Sequence, residues 1–127
     1  MLLFKKKFLD AIRSGEKTQT IRLWKVCRMK GGQRSYIPGA GYIRVASVDP
    51  VDLQSLADED ARPDGFPTAD ALRAEIAALY ADQLAAGHRA YRIRFRLLSS
   101  EEQAAAIEAR KAARALRSPS PAGRGPG

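Results

Sequence analysis

The sequence predicts a small α+β domain, and three observations carry that prediction. The chain has 127 residues, 45% of them hydrophobic, which suits one domain with its own core. Helix-like and strand-like periodicities follow one another in the order helix, strand, strand, helix, strand, with short connections. Because this order is not a repeating strand–helix–strand array, we expect a small, mostly antiparallel sheet or barrel flanked by helices.

The first helix and the first strand are predicted from residues 8–24. Phe8 and Ile12 lie at helical spacing, and Gly15 stands where a helix commonly ends in the left-handed conformation. The stretch TQTIRLW then alternates as a strand does, which predicts that Ile21 and Leu23 face the core.

The rest of the domain follows from its turns and its apolar patterns. Glycines and a proline predict a loop over residues 28–41, and residues 42–48 read as the second strand. Asp64-Gly65 marks a turn. Thr68 is the expected N-cap of a helix that runs to about Gly87, and YRIRFRL, residues 91–97, alternates as the clearest strand.

The sequence divides into three parts. Residues 1–98 form the predicted domain, and residues 99–117 form an alanine-rich helical extension with Ser99 or Ser100 as its cap. Residues 118–127, rich in proline, glycine and serine, are predicted to be a disordered tail. The apolar stripe of the extension is thin, so we expect it to dock weakly or not at all on the domain. An alternative interpretation of the chain is an interaction domain that binds a partner through this helix.

Charge is unevenly distributed along the chain, whose formal net charge is +8. Residues 1–48 hold eleven Lys/Arg against two acids, and residues 83–98 hold four arginines and no acid. Residues 49–82 hold nine acids against two basic residues. A basic face beside an acidic segment indicates a polyanionic partner, with RNA first, whereas the alternative is a solvated, highly charged surface.

Several classes of protein are not indicated by the composition. The single cysteine, Cys27, forms no internal disulfide and fits a cytoplasmic protein. One histidine and one cysteine do not supply the four ligands of a structural zinc site, so we predict no metal and no other cofactor. The N-terminus lacks the order of a signal peptide, and no apolar run is long enough to span a membrane.

The stretch SGEKTQTIR, residues 14–22, carries a candidate for catalysis. A lysine that is desolvated can lose its proton, and Lys17 could then take the proton of the Thr20 hydroxyl and make it a nucleophile. Asp64 is the candidate acid for the leaving group, brought in by folding. The alternative is a polar sheet face beside a solvated lysine.

The pattern G-x-K-x-x-T-x-R, present as Gly15, Lys17, Thr20 and Arg22, resembles the signature of the ASCH domain family. The DGF turn, the helix that ends in Tyr80 and the last strand YRIRF are also similar to that family. The resemblance covers roughly residues 3–97 and leaves the C-terminal extension outside.

This resemblance implies a PUA-like fold, a small mixed β-barrel flanked by helices, whose cleft binds RNA or nucleotides. It also implies two alternatives, because some short bacterial members are N4-acetylcytidine amidohydrolases that use a lysine, a threonine and a glutamate, and others are proposed ribonucleases. Carried over, the resemblance implies that Lys17 is the base or activator, Thr20 the nucleophile and Arg22 a phosphate or carbonyl binder.

The glutamate of that set is replaced in this chain. Asp64 lies near its position, and Glu59 is an alternative acid nearby. An aspartate is shorter by one carbon–carbon bond, about 1.5 Å. This difference weakens the amidohydrolase interpretation, favours the binding function over it, and leaves the implied fold unaffected.

Two further groups are candidates for binding nucleic acid. Arg92, Arg94 and Arg96 share one face of the last strand about 6.6 Å apart, a spacing suited to phosphates. The alternative for these arginines is pairing with the acidic segment 49–64.

The loop after the first strand is the second candidate group. It carries Arg28 and Arg34 around Tyr36, whose ring is the better candidate for stacking on a base.

Overall fold

The structure, a computed structural model, describes residues 1–117. One compact unit spans Met1–Leu97, and a second unit begins at Leu98. The first unit mixes helices with one sheet, which confirms the predicted α+β class. In chain order its elements are α1 (Lys6–Ser14), β1 (Gln19–Trp24), β2 (Arg34–Ile37), β3 (Gly41–Pro50), α2 (Asp58–Ala61), α3 (Ala69–Leu79), α4 (Ala81–Ala85) and β4 (Arg89–Leu97), with 3-10 turns at Leu53–Ser55 and Arg62–Asp64.

The strands form one sheet in the order β1-β4-β3-β2, and every pairing in it is antiparallel. The sheet curls into a half-barrel. The register places Thr20 of β1 opposite Ile93 of β4, and a bulge between Val45 and Ser47 interrupts the pairing of β3 with β4. Bulges bend and twist a strand locally, which suits a sheet that curls.

Apolar side chains cover both faces of the sheet. On one face Ile21 and Leu23 of β1 pack with Leu72 and Ile76 of α3 in a buried cluster. On the other face Ile93, which is fully buried, packs with residues of α1, β2 and β3. Successive side chains of a strand point to opposite faces, so Ile21 enters the first cluster as predicted, and its neighbours Thr20 and Arg22 face the other way.

Helix α1 ends at Gly15, as the sequence predicts. Gly15 has a φ of 86°, and its N–H donates to the carbonyl of Ile12 at 3.2 Å. The backbone N–H of Lys17 then donates to the carbonyl of Ala11 at 3.0 Å. The left-handed conformation of Gly15 turns the chain back under α1. Lys17 therefore lies in the interior, just before β1 begins.

The long helix predicted from Thr68 to Gly87 is interrupted, and that part of the prediction is wrong. Thr68 caps the helix as expected, because its Oγ1 accepts from the N–H of Ala71 at 3.1 Å. The helical backbone breaks at Tyr80, with φ −123° and ψ 30°, before α4 resumes. Tyr80, at this break, lines the cavity that Thr20 and Arg22 also line.

A fourth strand lies inside the region predicted as a loop, which corrects that prediction. Residues Arg34–Ile37 form β2 and pair with β3, so that Tyr36 lies opposite Tyr42. Ser35 and Ile37 are buried beneath it. Four residues are too few to display an alternating pattern against the surrounding glycines, so only the pairing identifies this edge strand.

In its described part, residues 98–117, the second unit contains one helix, α5 (Ser100–Arg117). Ser99 caps it, since its Oγ accepts from the N–H of Glu102 at 3.2 Å and the Glu102 side chain accepts from the N–H of Ser99 at 2.9 Å. Within residues 1–117 no helix has both the length and the apolar character needed to cross a bilayer. The predicted disordered tail, residues 118–127, lies outside the described residues.

Candidate functional site

A cavity of about 150 Å³ lies in the first unit where the start of the chain, β1, the turn at Asp64 and α3 meet. Lys17, Thr20, Arg22 and Asp64 all line it, so the structure brings together the four residues of the opening motif and the turn. Its walls are otherwise mainly apolar. The remaining lining residues are Leu3, Phe4, Lys5, Phe8, Ile21, Phe66, Leu72, Glu75, Ile76, Leu79 and Tyr80.

Lys17 and Asp64 form a buried ion pair at the base of this cavity. Each is 3% exposed, and the Lys17 ammonium donates to Asp64 Oδ1 at 2.6 Å. The ammonium also donates to the backbone carbonyl of Asp64. Gln19 donates from Nε2 to the second carboxylate oxygen of Asp64 at 3.2 Å. Both oxygens of Asp64 are therefore engaged, as a buried carboxylate requires.

Three phenylalanine rings surround the Lys17 ammonium. Its nitrogen lies 5.0 Å from the ring centre of Phe8, 5.7 Å from that of Phe4 and 5.9 Å from that of Phe66. The faces of aromatic rings attract cations at such distances. The rings thus stabilise the charged lysine while they exclude water from it.

Burial lowers the pKa of Lys17 below its ordinary value of 10.5, because the ammonium is desolvated. The charge and the hydrogen bond of Asp64 oppose this effect and only partly offset it. Lys17 consequently gives up its proton more readily than a lysine at the surface. A lysine must lose its proton in this way before it can act as a general base.

Thr20 and Arg22 occupy the same face of β1 and contact each other. The Arg22 Nε–H donates to Thr20 Oγ1 at 3.1 Å, and a terminal guanidinium nitrogen donates to the carbonyl of Leu3 at 2.8 Å. The guanidinium lies 4.6 Å from the ring centre of Phe4. Burial lowers the pKa of Arg22, with Tyr80 and Asp64 opposing, yet a guanidinium stays charged at physiological pH.

The two candidate acids have different positions. Asp64 lines the cavity, but its carboxylate is bound by Lys17 and Gln19. Glu59 is exposed on α2 and is not among the described residues that line the cavity. A role for either one as the acid for a leaving group stays a prediction.

The arginines of β4 lie away from the cavity. Neither Arg92 nor Arg94 is among the described residues that line it. In the pairing with β1 they stand opposite Ile21 and Gln19, on the other face of the sheet from Thr20. Arg92 donates to Asp60 Oδ1 at 3.0 Å, which is the pairing with the acidic segment that the sequence left open. Arg94 is exposed.

The three candidates in the loop after β1 are dispersed. Arg28 is exposed and lines a second cavity, and Arg34 lies with its guanidinium 5.4 Å from the ring centre of Tyr42. The Tyr36 ring packs edge-on against Tyr42 at 4.9 Å. Neither Arg34 nor Tyr36 is among the described residues lining either of these cavities.

Sequence reasoning missed Glu75 as a site residue. Glu75 lines the cavity from α3, and its carboxylate pairs with Lys7 at 3.3 Å and with Lys5 at 3.9 Å. Within residues 1–117 its buried Oε2 receives no hydrogen bond, whereas its Oε1 accepts from the Lys7 ammonium at 3.3 Å. Glu75 thus ties α3 to the start of α1 above the cavity. Glu75 follows Leu72 by three residues and precedes Ile76 by one, on the apolar face of α3. This spacing was the sequence signal that could have identified Glu75 as a site residue.

The solved structures that are similar in fold to the chain include the two named below. No family model matches it, and no curated protein matches its sequence. The hypothetical protein PH0355 superposes with a TM-score of 0.63 at 14% identity, over 76% of this chain and 95% of that one. Protein EF3133 from Enterococcus faecalis V583, of the family model DUF984, superposes with a TM-score of 0.61 at 19% identity, over 72% of this chain and 67% of that one. At these identities the similarity shows the fold alone.

Proposed function

We propose that the chain binds a nucleobase, either in a nucleoside or in RNA, and that it is an ASCH-type module of PUA-like architecture. The observation that carries the proposal is the joint position of Lys17, Thr20 and Arg22 in one aromatic-walled cavity. The motif that resembles the ASCH signature and the half-barrel sheet both support the family and the architecture.

The size and the walls of the cavity support a flat, single-ring ligand. Cavities of about 150 Å³ take up benzene, which has the size of one pyrimidine ring. Phe4, Phe8 and Phe66 offer ring surfaces. Stacking on aromatic side chains contributes about 1–3 kcal/mol per base in nucleic-acid-binding proteins.

The polar groups of the cavity suit the carbonyl edge of a base. The Thr20 hydroxyl accepts from Arg22, so its own proton is available to a ligand. The guanidinium of Arg22 has five N–H groups and bonds with Thr20, Leu3 and Tyr80, which leaves donors for a ligand. Donors on one side of a mainly apolar pocket are what fixes the orientation of a small ligand.

Binding is tested by calorimetric titration of the four ribonucleosides into the protein and into Arg22→Gln. We expect at least one nucleoside to bind and Arg22→Gln to weaken it at least tenfold. Failure of the nucleosides, of their monophosphates and of a short RNA to bind at millimolar concentration would refute the proposal. For an RNA ligand, the logarithm of affinity should fall steeply with the logarithm of salt concentration, and a shallow slope would remove the argument from the basic surface.

A second function, amide hydrolysis on an acylated nucleoside, is favoured by one observation. Burial lowers the pKa of Lys17, and Lys17 shares the cavity with the Thr20 hydroxyl. Thr20 Oγ1 would bond to the acyl carbon while its proton passes to Lys17. The carbon–nitrogen bond would break, the amine would leave with a proton, and water would then hydrolyse the acyl-threonine.

The hydrolase is tested by incubating the protein with N4-acetylcytidine and measuring cytidine by chromatography. Thr20→Val keeps the size of the side chain and removes the nucleophile, so we expect product from the wild-type protein and none from this variant. Equal product from both, or none from either at high enzyme concentration, would reject this mechanism for that substrate.

Two further proposals concern location and partners. The one cysteine, Cys27, is exposed and free, which is typical of a protein in a reducing compartment, and we propose that the protein is cytoplasmic. The alanine-rich α5 could instead bind a protein partner. Nucleobase binding that persists after removal of residues 99–127 would separate that role from the cavity.

A further inference from the structure

A second cavity, of about 330 Å³, adjoins the first one. It lies between the start of the chain, Trp24 at the end of β1, and the following loop with Arg28 and Gln33. Leu3 and Arg22 line both cavities. Arg22 therefore stands at their junction, where one ligand could reach both spaces.

The second cavity is positively charged. Its described lining residues include Arg22 and Arg28 and contain no carboxylate. Arg28 is exposed, and within residues 1–117 its side chain makes no hydrogen bond or ion pair. An arginine without a carboxylate partner, beside a second arginine, favours an anion with paired oxygens.

Gln33 gives the second cavity a neutral donor as well. Its Oε1 accepts from the backbone N–H of Lys30 at 3.1 Å, which orients the side chain. The amide N–H₂ group of Gln33 donates to no other described residue. A group of this kind suits a sugar hydroxyl or a phosphate oxygen.

We propose that the ligand is a phosphorylated nucleotide rather than a free nucleoside, with its base in the first cavity and its phosphate against Arg28 in the second. The inference rests on the proposed function, because it assigns the second cavity to the same ligand. The two volumes together lie within the roughly 300–1,000 Å³ that is typical of small-molecule sites. The phosphate belongs either to a mononucleotide or to an RNA chain, and both present the same anion.

The experiment compares, for each ribonucleoside, the affinity of the nucleoside with the affinities of its 5′- and 3′-monophosphates by calorimetry. A cytidine-containing trinucleotide distinguishes an internal phosphate from a terminal one. Arg28→Gln is the test variant, and Lys25→Gln is the matched control, since Lys25 is an exposed cation in the same loop and lines neither cavity. Thermal unfolding of both variants verifies that they fold.

We expect at least one monophosphate, or the trinucleotide, to bind about ten- to a hundredfold more tightly than its nucleoside, the range for hydrogen bonds to a charged group. Arg28→Gln should bring this ratio close to one, and Lys25→Gln should leave it high. The ratio should also fall as salt is raised.

The outcomes separate this inference from the proposed function. Nucleosides that bind as tightly as their phosphates overturn the inference and leave base binding in place. An equal loss of the ratio in Arg28→Gln and Lys25→Gln also overturns it, because the gain would then come from general charge. No binding by nucleosides, monophosphates or the trinucleotide overturns both.

Discussion

Replacing Asp64 by alanine should destabilise the protein more than an ordinary charge substitution does. The change leaves the Lys17 ammonium 3% exposed with no carboxylate partner. The backbone carbonyl of residue 64 and the three phenylalanine rings remain, but they already act in the native protein and gain nothing. Removing one member of a buried ion pair costs about 3–5 kcal/mol of unfolding free energy, and we expect a loss in that range.

The double variant Lys17→Met/Asp64→Leu separates the cost of an unpaired charge from that of lost packing. Because it removes both charges and keeps apolar volume, its unfolding free energy should be within about 2 kcal/mol of the wild-type value. Asp10→Ala is the control at the surface, where Asp10 pairs with Arg13 on α1 and is largely exposed. An exposed pair contributes about 0–1 kcal/mol.

Urea unfolding at equilibrium, followed by circular dichroism, measures these differences. The total stability of a domain is about 5–15 kcal/mol, so the expected loss for Asp64→Ala is large and easily resolved. An unfolding free energy of Asp64→Ala within 1 kcal/mol of the wild-type value would refute the reasoning. An equal loss of unfolding free energy in the double variant and in Asp64→Ala would refute it as well.

Three further predictions concern the same region. Lys17 has a lower pKa in the folded protein than the value of about 10.5 that it has in the unfolded chain. Between these two pKa values the unfolded chain binds a proton that the folded chain has lost. The free energy of unfolding therefore rises with pH in this range. Thermal unfolding measured as the pH is raised towards about 10.5 should show this rise in the wild type and not in Lys17→Met, and parallel curves would contradict it. Ile93→Ala, at a fully buried position between the sheet and α1, should lose about 2–5 kcal/mol in urea unfolding, and a loss below 1 kcal/mol would show that this cluster is loosely packed. Phe66→Ala should weaken nucleobase binding by about 1–3 kcal/mol in calorimetry. Phe66→Leu shows whether an apolar side chain without a ring is enough for binding. An unchanged affinity in Phe66→Ala would exclude the ring from the ligand's contacts.

The elements that the sequence predicted correctly depend on local chemistry. Gly15 can adopt a left-handed backbone, Thr68 can cap a helix, and Ile21 alternates with polar neighbours. The helix end, the helix start and the buried strand face can therefore each be predicted from a few neighbouring residues. The break at Tyr80 was not readable in this way. No proline or glycine marks it, and the cavity that Tyr80 lines exists only after folding.

The candidate site shows the same division. The spacing of Lys17, Thr20 and Arg22 was evident in the sequence because all three lie on one short segment. Glu75 was missed because it lies far away in the chain and reaches the cavity only through the packing of α3. For Arg92 the sequence favoured phosphate binding and pairing with the acidic segment about equally. Only the fold shows that its guanidinium lies 3.0 Å from Asp60 Oδ1.

Binding of a nucleobase in the first cavity is the central claim, and chemical-shift mapping by NMR tests it most directly. Nucleosides and their monophosphates are titrated into protein labelled with nitrogen-15. The account predicts shifts at the backbone amides of Lys17, Thr20, Arg22 and Tyr80, with Arg94 on the opposite face unmoved. Shifts confined to the face of Arg94, or no shifts at millimolar ligand, would contradict it.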